Sequence, residues 1–268
     1  SSGIAGTLVT NKGTGFNSNP TGNTVYFGFV KAIVSTAADS TLVVIVPAGA
    51  SYAPITVTAN GLTAASALSF NTTFEGTTGP FYLNSFIPKA DLVTGIYPHS
   101  ISFADFNNDG KNDMLVSKGS SNNVSVYANT GSTGNISFTL QSTVESSGNS
   151  NEGSAVADLD GDGKLDFVIV NSLTNQLLSV YRNISSGANI VFANRINYAT
   201  DKGAHCVAIG DVNNDGKPDI AVANNGSTVV SFFKNKSVPG TISFESKLDF
   251  HVGTNPFGIA IGDLNDDG

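Results

Sequence analysis

Hydrophobic and polar positions along this chain follow a short period nested inside a long one. Aligned on Asp105, Asp158, Asp211 and Asp263, the segments before each aspartate alternate residue by residue. The positions one and three before it are small: Ala104 and Ser102, Ala157 and Ala155, Gly210 and Ala208, Gly262 and Ala260. The positions two and four before it are apolar, Phe103 and Ile101, Val156, Ile209 and Val207, Ile261 and Ile259, with Ser154 the exception. A period of two residues predicts a strand. The four aspartates stand 53, 53 and 52 residues apart, so one structural unit of that length repeats.

Each unit carries further strand signals. Apolar, β-branched runs follow the aspartate segments: MLV from Met114, FVIV from Phe167 and IAVA from Ile220. SVY, SVY and SFF then precede Asn129, Asn183 and Asn235, and ISF, IVF and ISF begin at Ile136, Ile190 and Ile242. The polar stretches between them, NTGSTGN, NISSGAN and NKSVPGT, are turns. Four strands in each repeat is the content of a propeller blade. A strand that admits only small side chains on one face is crowded by neighbours, as the innermost strand of a blade is near the axis. The fold class expected is all-β: a partial β-propeller of four-stranded blades, with an immunoglobulin-like β-sandwich before it. SFIPKAD at Ser85 aligns with SFESKLD at Ser243, which starts repeat material near residue 80.

The sandwich is read from residues 1–76. LVT at Leu8, TVYFGF at Thr24, TLVVIVP at Thr41 and PITVT at Pro54 are short strands separated by Gly, Asn and Pro clusters. Its first strand is expected to lie before residue 1. GTTGPFYLN, residues 76–84, has the composition of a domain boundary, and residues 77–268 form three full repeats and a cut fourth. Gly13 and Gly15 precede FNSNPTGN, with no helix to face a phosphate, and are turn glycines.

The segments that open on the aligned aspartates carry the chemistry. They read DFNNDGKND, DLDGDGKLD, DVNNDGKPD and, at the chain end, DLNDDG. A hard cation needs oxygens at alternate loop positions and a glycine at the sharp turn. Asp105, Asn107 and Asp109 supply side-chain oxygens, Lys111 its carbonyl, and Asp113 closes the shell. The second loop offers Asp158, Asp160, Asp162, Lys164 and Asp166; the third Asp211, Asn213, Asp215, Lys217 and Asp219; the fourth Asp263, Asn265 and Asp267. An EF-hand would need glutamate at loop position 12, where Val116, Ile169 and Val222 stand, so these are not EF-hands. The expected cofactor is structural Ca2+, one ion per loop.

The DxNxDGKxD loops in a unit of this length resemble FG-GAP/VCBS repeats, the blades of integrin-alpha-like β-propellers. The resemblance covers roughly residues 80–268. It implies calcium in the blade hairpins, a ring commonly of seven blades, and a role in adhesion or ligand recognition. GTGF at Gly13, VYFG at Val25 and VPAGA at Val46 resemble IPT/TIG domains, immunoglobulin-like modules found beside binding and catalytic domains.

Composition narrows the partners. The net charge is -8, but 13 of the 21 acidic residues lie in or beside the four loops, so the acidity belongs to the metal sites. The 13 Lys and Arg are scattered singly and form no stripe for nucleic acid. No apolar run is long enough to span a membrane. One cysteine, Cys206, permits no intrachain disulfide and fills a strand edge. Calcium binding at extracellular concentrations points to a secreted or cell-surface protein.

Strand alternation puts the metal hairpins on one side of each blade and the entry to the innermost strand on the other. Six positions before the aligned aspartates stand His99, Glu152, His205 and Phe257, which vary as a ligand-reading rim would. The histidines, His99, His205 and His251, are dispersed in sequence, with neither a catalytic triad nor a zinc-ligand spacing. The expectation is a non-catalytic recognition or adhesion module for glycans or extracellular proteins. The alternative is a segment of a secreted polysaccharide-degrading enzyme whose chemistry lies elsewhere in its parent protein.

Overall fold

A computed structural model describes residues 2–73, 89–132, 134–172 and 176–262. The N-terminal strands are β1 (Ser2–Gly3), β2 (Leu8–Lys12), β3 (Asn23–Phe27), β4 (Val30–Ala38), β5 (Thr41–Ile45), β6 (Ile55–Ala59), β7 (Leu62–Ala65) and β8 (Asn71–Thr72). Six of them form one sheet in the order β2-β5-β4-β3-β6-β7, and β1 pairs with β8 in parallel. The first part of β4 pairs with β3 and the later part with β5, with a register break between Val34 and Thr36. A bulge of this kind bends a strand. Side chains from both sides of the bend, Val9, Leu42 and Val44 against Val25, Phe27 and Ile55, therefore share one core closed by Phe70. The Phe27 and Phe70 rings meet edge to face at 4.8 Å.

Three blades follow. The first holds β9 (Pro98–Ala104), β10 (Asp113–Lys118), β11 (Asn123–Asn129) and β12 (Phe138–Glu145). The second holds β13 (Asn151–Ala157), β14 (Asp166–Asn171), β15 (Leu177–Tyr181) and β16 (Ile196–Ala199), and the third β17 (Ala204–Gly210), β18 (Asp219–Asn224), β19 (Val229–Phe233) and β20 (Leu248–His251). Each is an antiparallel four-stranded meander. The second strands DMLVSK, DFVIVN and DIAVAN are buried along their whole length, which explains their near-continuous apolar runs.

The small face of the innermost strands has the expected cause. β13 lies between β9 and β17, and Ser154 Oγ sits 2.7 Å from Ser100 Oγ and 2.8 Å from Ser102 Oγ. A Cβ on Gly153 would stand 2.9 Å from the His205 carbonyl oxygen and 3.1 Å from Cys206 Cα. Packing between blades fills the space further out. Phe106, the second residue of its loop, joins Leu115 and Val126 of its own blade to Phe167, Ile169 and Tyr181 of the next. Leu159 does the same one repeat later, with Ile220, Val222 and Phe233.

Two expectations change. The IVF and ISF motifs at Ile190 and Ile242 are not the fourth strands of blades two and three; those start at Ile196 and Leu248. Ile190 and Ile242 instead plug the cores, while Phe192 and Phe244 form isolated bridges to Asn183 and Asn235. Ile259 to Gly262, patterned as a strand, are not one. No described segment pairs with them, and a strand without a partner lacks its hydrogen bonds. The apolar positions of β9, Ile101 and Phe103, are correspondingly open, 54% and 46% exposed, whereas Val156 and Val207 at the corresponding face are buried by neighbouring blades.

Candidate functional site

Each of the three described acidic loops connects the first and second strands of a blade, at the end away from the rim. Its tight path uses left-handed backbone at two positions: Asn108 and Gly110, Gly161 and Gly163, Asn214 and Gly216, with φ between 57° and 86°. Glycine takes that conformation freely, and asparagine at a lower cost than other residues with a Cβ. In the first loop Asp105 accepts from the amides of Asp109 and Gly110, both at 2.9 Å, and Asn107 Oδ1 accepts from Asp109 at 3.1 Å. Asp211 repeats the pattern with the amides of Asp215 and Gly216.

The closing aspartates also fasten the blade. Asp113 accepts from the amides of Phe106 and Asn129, Asp166 from Leu159 and Asn183, and Asp219 from Val212 and Asn235. A carboxylate oxygen that accepts one amide keeps a second lone-pair site. Lys111, Lys164 and Lys217 have a role the sequence reading missed: their ammonium groups donate to the carbonyls of Gly131, Ser185 and Ser237, pinning the outer hairpin to the loop at 2.8–2.9 Å. The signal was present, since lysine recurs at that loop position in all three complete copies.

The second loop fits a hard divalent cation best. Oxygens of Asp158, Asp160 and Asp162 lie within 4.8 Å of one another, and buried Asp158 Oδ1 has no hydrogen-bond donor. Arg182 neutralises the outer two, its Nε donating to Asp160 at 2.6 Å and its Nη2 to Asp162 at 2.7 Å. Burial pushes the Asp105 carboxyl up to about 6 and those of Asp113 and Asp158 up to about 7. Asp160, Asp166 and Asp219 move upward for the same reason. These are the hard oxygens a calcium-class ion takes, and such an ion would relieve the cost of holding them ionised. Asp263, Asn265 and Asp267 lie outside the described residues.

The sandwich is seated on these loops. Phe29 O accepts from the Asp105 amide at 2.9 Å, and Thr63 donates its amide to Gly216 O at 2.7 Å. Gly163 O accepts from the Tyr26 hydroxyl at 2.9 Å and from Lys31 Nζ at 3.2 Å. The approach is so close that a Cβ on Gly161 would lie 2.8 Å from Gly61 O. A cleft of about 370 Å3 remains between Tyr26, Thr58 and Thr63 on one side and Asp158 and Asp211 on the other.

At the opposite ends of the innermost strands, His99, Glu152 and His205 converge. His99 Nε2 lies 2.8 Å and His205 Nε2 3.9 Å from Glu152 Oε2. The two imidazoles meet edge to face at 5.8 Å, and Phe257 packs on His205 with ring centroids 3.9 Å apart. This corrects the reading of the histidines as dispersed: two of them, 106 residues apart in sequence, become neighbours because successive blades place corresponding positions around one axis. His251 stays apart on β20, its Nδ1 3.3 Å from Thr228 Oγ1.

No curated protein matches the chain. Among solved structures it is similar to an auxiliary nutrient binding protein from Bacteroides ovatus, at 17% identity over 97% of this chain and 60% of that one, TM-score 0.38. It is also similar to a rhamnogalacturonan lyase from Bacillus licheniformis, at 12% identity over 98% of this chain and 56% of that one, TM-score 0.43. The chain thus spans less than two thirds of either structure's length. Residues 1–75 match the IPT/TIG domain. FG-GAP-like repeats match residues 105–169, 158–222 and 211–268, well over half of the sequence, and the chain belongs to the FG-GAP-like repeat family.

Proposed function

We propose that this chain is a calcium-stabilised recognition module, secreted or held at a cell surface, whose rim binds a glycan or an extracellular protein, and that the segment is non-catalytic. One observation carries the reading: the two ends of the blades are put to different uses. The acidic loops lie beneath the sandwich, with Asp105 and Gly216 bonded to its backbone, so a cation there braces an interface. The rim ends carry His99, Glu152, His205 and Phe257, three residue types at one repeat position, gathered in one place. A constant scaffold that presents variable side chains at one end suits ligand reading. Among the described residues no helix is long and apolar enough to cross a membrane.

The test is to screen the full chain, in excess calcium, on glycan and extracellular-protein arrays beside Phe257→Ala. Phe257 is 63% exposed and offers an aromatic face, so its removal is expected to weaken binding while leaving thermal stability intact. Binding unaffected by the substitution would place the ligand elsewhere. Shortening of an arrayed glycan would overturn the non-catalytic reading.

A further inference from the structure

We propose that His99, Glu152 and His205 form a binding site for a divalent transition metal of the zinc class, separate from the acidic loops. Glu152 is the reason. It is only 9% exposed, and its Oε1 accepts from the hydroxyls of Ser172 at 2.8 Å and Ser150 at 3.3 Å. Those bonds hold the carboxylate with Oε2 turned toward both histidines. The 2.8 Å approach of His99 lacks the alignment of a hydrogen bond, and Oε2 is left buried with no donor. A buried carboxylate oxygen without a partner is costly unless something else satisfies it.

The histidines are prepared to be that site's other ligands. Nδ1 of His205 lies 3.3 Å from the Phe257 carbonyl oxygen, which can only accept, so the proton belongs on Nδ1 and the lone pair on Nε2. A carbonyl that fixes the far nitrogen in this way is the usual second support of a metal-binding imidazole. The candidate donor atoms all lie within 4.8 Å of one another. Tetrahedral zinc separates its nitrogen and oxygen ligands by roughly 3.4 Å, so shifts of about 1 Å complete the set. Two imidazoles and one carboxylate suit zinc rather than calcium, which prefers oxygen alone. The His99 side chain is 43% exposed, and a three-ligand site on this open face keeps a coordination position for water or for a ligand's oxygen. The site shares the rim with the proposed recognition surface but does not rest on that reading, because metal uptake is measured without any glycan.

The experiment titrates the full chain with Zn2+ by calorimetry, and with Co2+ by visible absorption, in excess calcium to fill the acidic loops. The expected result is one equivalent bound per chain, with cobalt bands of a nitrogen-containing site. Affinity should fall more than tenfold in Glu152→Gln and uptake should vanish in the His99→Ala/His205→Ala double variant. Should the double variant not fold, ring resonances of His99 and His205 in the wild-type protein decide, since zinc at this site must shift both. No stoichiometric uptake, uptake that calcium displaces, uptake retained by the double variant, or unshifted histidine resonances would each reduce the cluster to a histidine–carboxylate contact without a metal.

Discussion

The hydroxyl of Tyr26, in the sandwich, donates to the carbonyl of Gly163, in the second acidic loop, at 2.9 Å and out of contact with water. Tyr26 is 2% exposed and belongs to the core shared by blades one and two, so this ring ties the sandwich to the propeller. Its hydroxyl is held firmly neutral by burial and by the aspartates around it, foremost Asp158. Tyr26→Phe keeps the packing and removes the bond. The expected loss is about 1 kcal/mol, because Lys31 Nζ still serves Gly163 O. Chemical unfolding in excess calcium measures it, and an unchanged midpoint would show that the bond contributes nothing to stability.

Asn235 stitches neighbouring blades together. Its Nδ2 donates to Pro218 O at 2.7 Å in its own blade and to Leu159 O at 2.9 Å in the blade before. Asn183 makes the same pair with Leu165 O and Phe106 O, both at 2.9 Å. Among the described residues Asn129 Nδ2 donates only within its own blade, to Asn112 O at 2.9 Å. Asn235→Ala strands the buried Leu159 carbonyl and the half-buried Pro218 carbonyl and is expected to cost roughly 2–4 kcal/mol. Asn129→Ala should cost distinctly less; equal losses in the two variants would deny that the contact across blades matters.

Gly153 sits where two innermost strands touch. A Cβ there meets backbone, the His205 oxygen at 2.9 Å and Cys206 Cα at 3.1 Å, and backbone cannot rotate away. Gly153→Ala is expected to destabilise by roughly 1–3 kcal/mol. It should also move Glu152 relative to His205, visible in the histidine ring resonances. A neutral substitution would mean the strands lie further apart than described.

Calcium should act most strongly above neutral pH. Folding lifts the Asp105 carboxyl to about 6 and those of Asp113 and Asp158 to about 7 through burial. Their unfolded values are near 3.9. A carboxyl with a raised folded value holds its proton more tightly when folded, so without calcium its contribution to stability falls as pH climbs from about 4 to about 7. Calcium binds the deprotonated form and offsets that loss. Each loop held at a hundredfold excess over its dissociation constant gains about 2.7 kcal/mol, or roughly 5–10 °C in melting temperature. The shift on adding calcium to metal-free protein is therefore expected to be large at about pH 8 and small at about pH 5. A shift independent of pH would contradict this.

Much of the fold was legible because the repeat supplies the same message several times. The small positions Ala104, Ala157 and Gly210, the loop glycines and the continuous second strands all follow from local rules of alternation and turn geometry. The sandwich was harder to read. β4 mixes small and polar residues with apolar ones, and β7 is largely exposed, so neither carries a clean pattern. Ile190 and Ile242 misled because a core plug and a short strand look alike over three residues.

By itself the sequence determined the blade length, the acidic hairpins, and which residues enter each innermost strand, because these depend on neighbours within one unit. Tertiary structure alone decided what those parts meet. Docking of the sandwich set Tyr26 on Gly163, and the turning of successive blades about one axis brought His99 and His205 to a single carboxylate on Glu152. Contacts of that kind join residues from different repeats or different domains. No periodicity along the chain encodes them; only the packing of whole sheets fixes which ends come together.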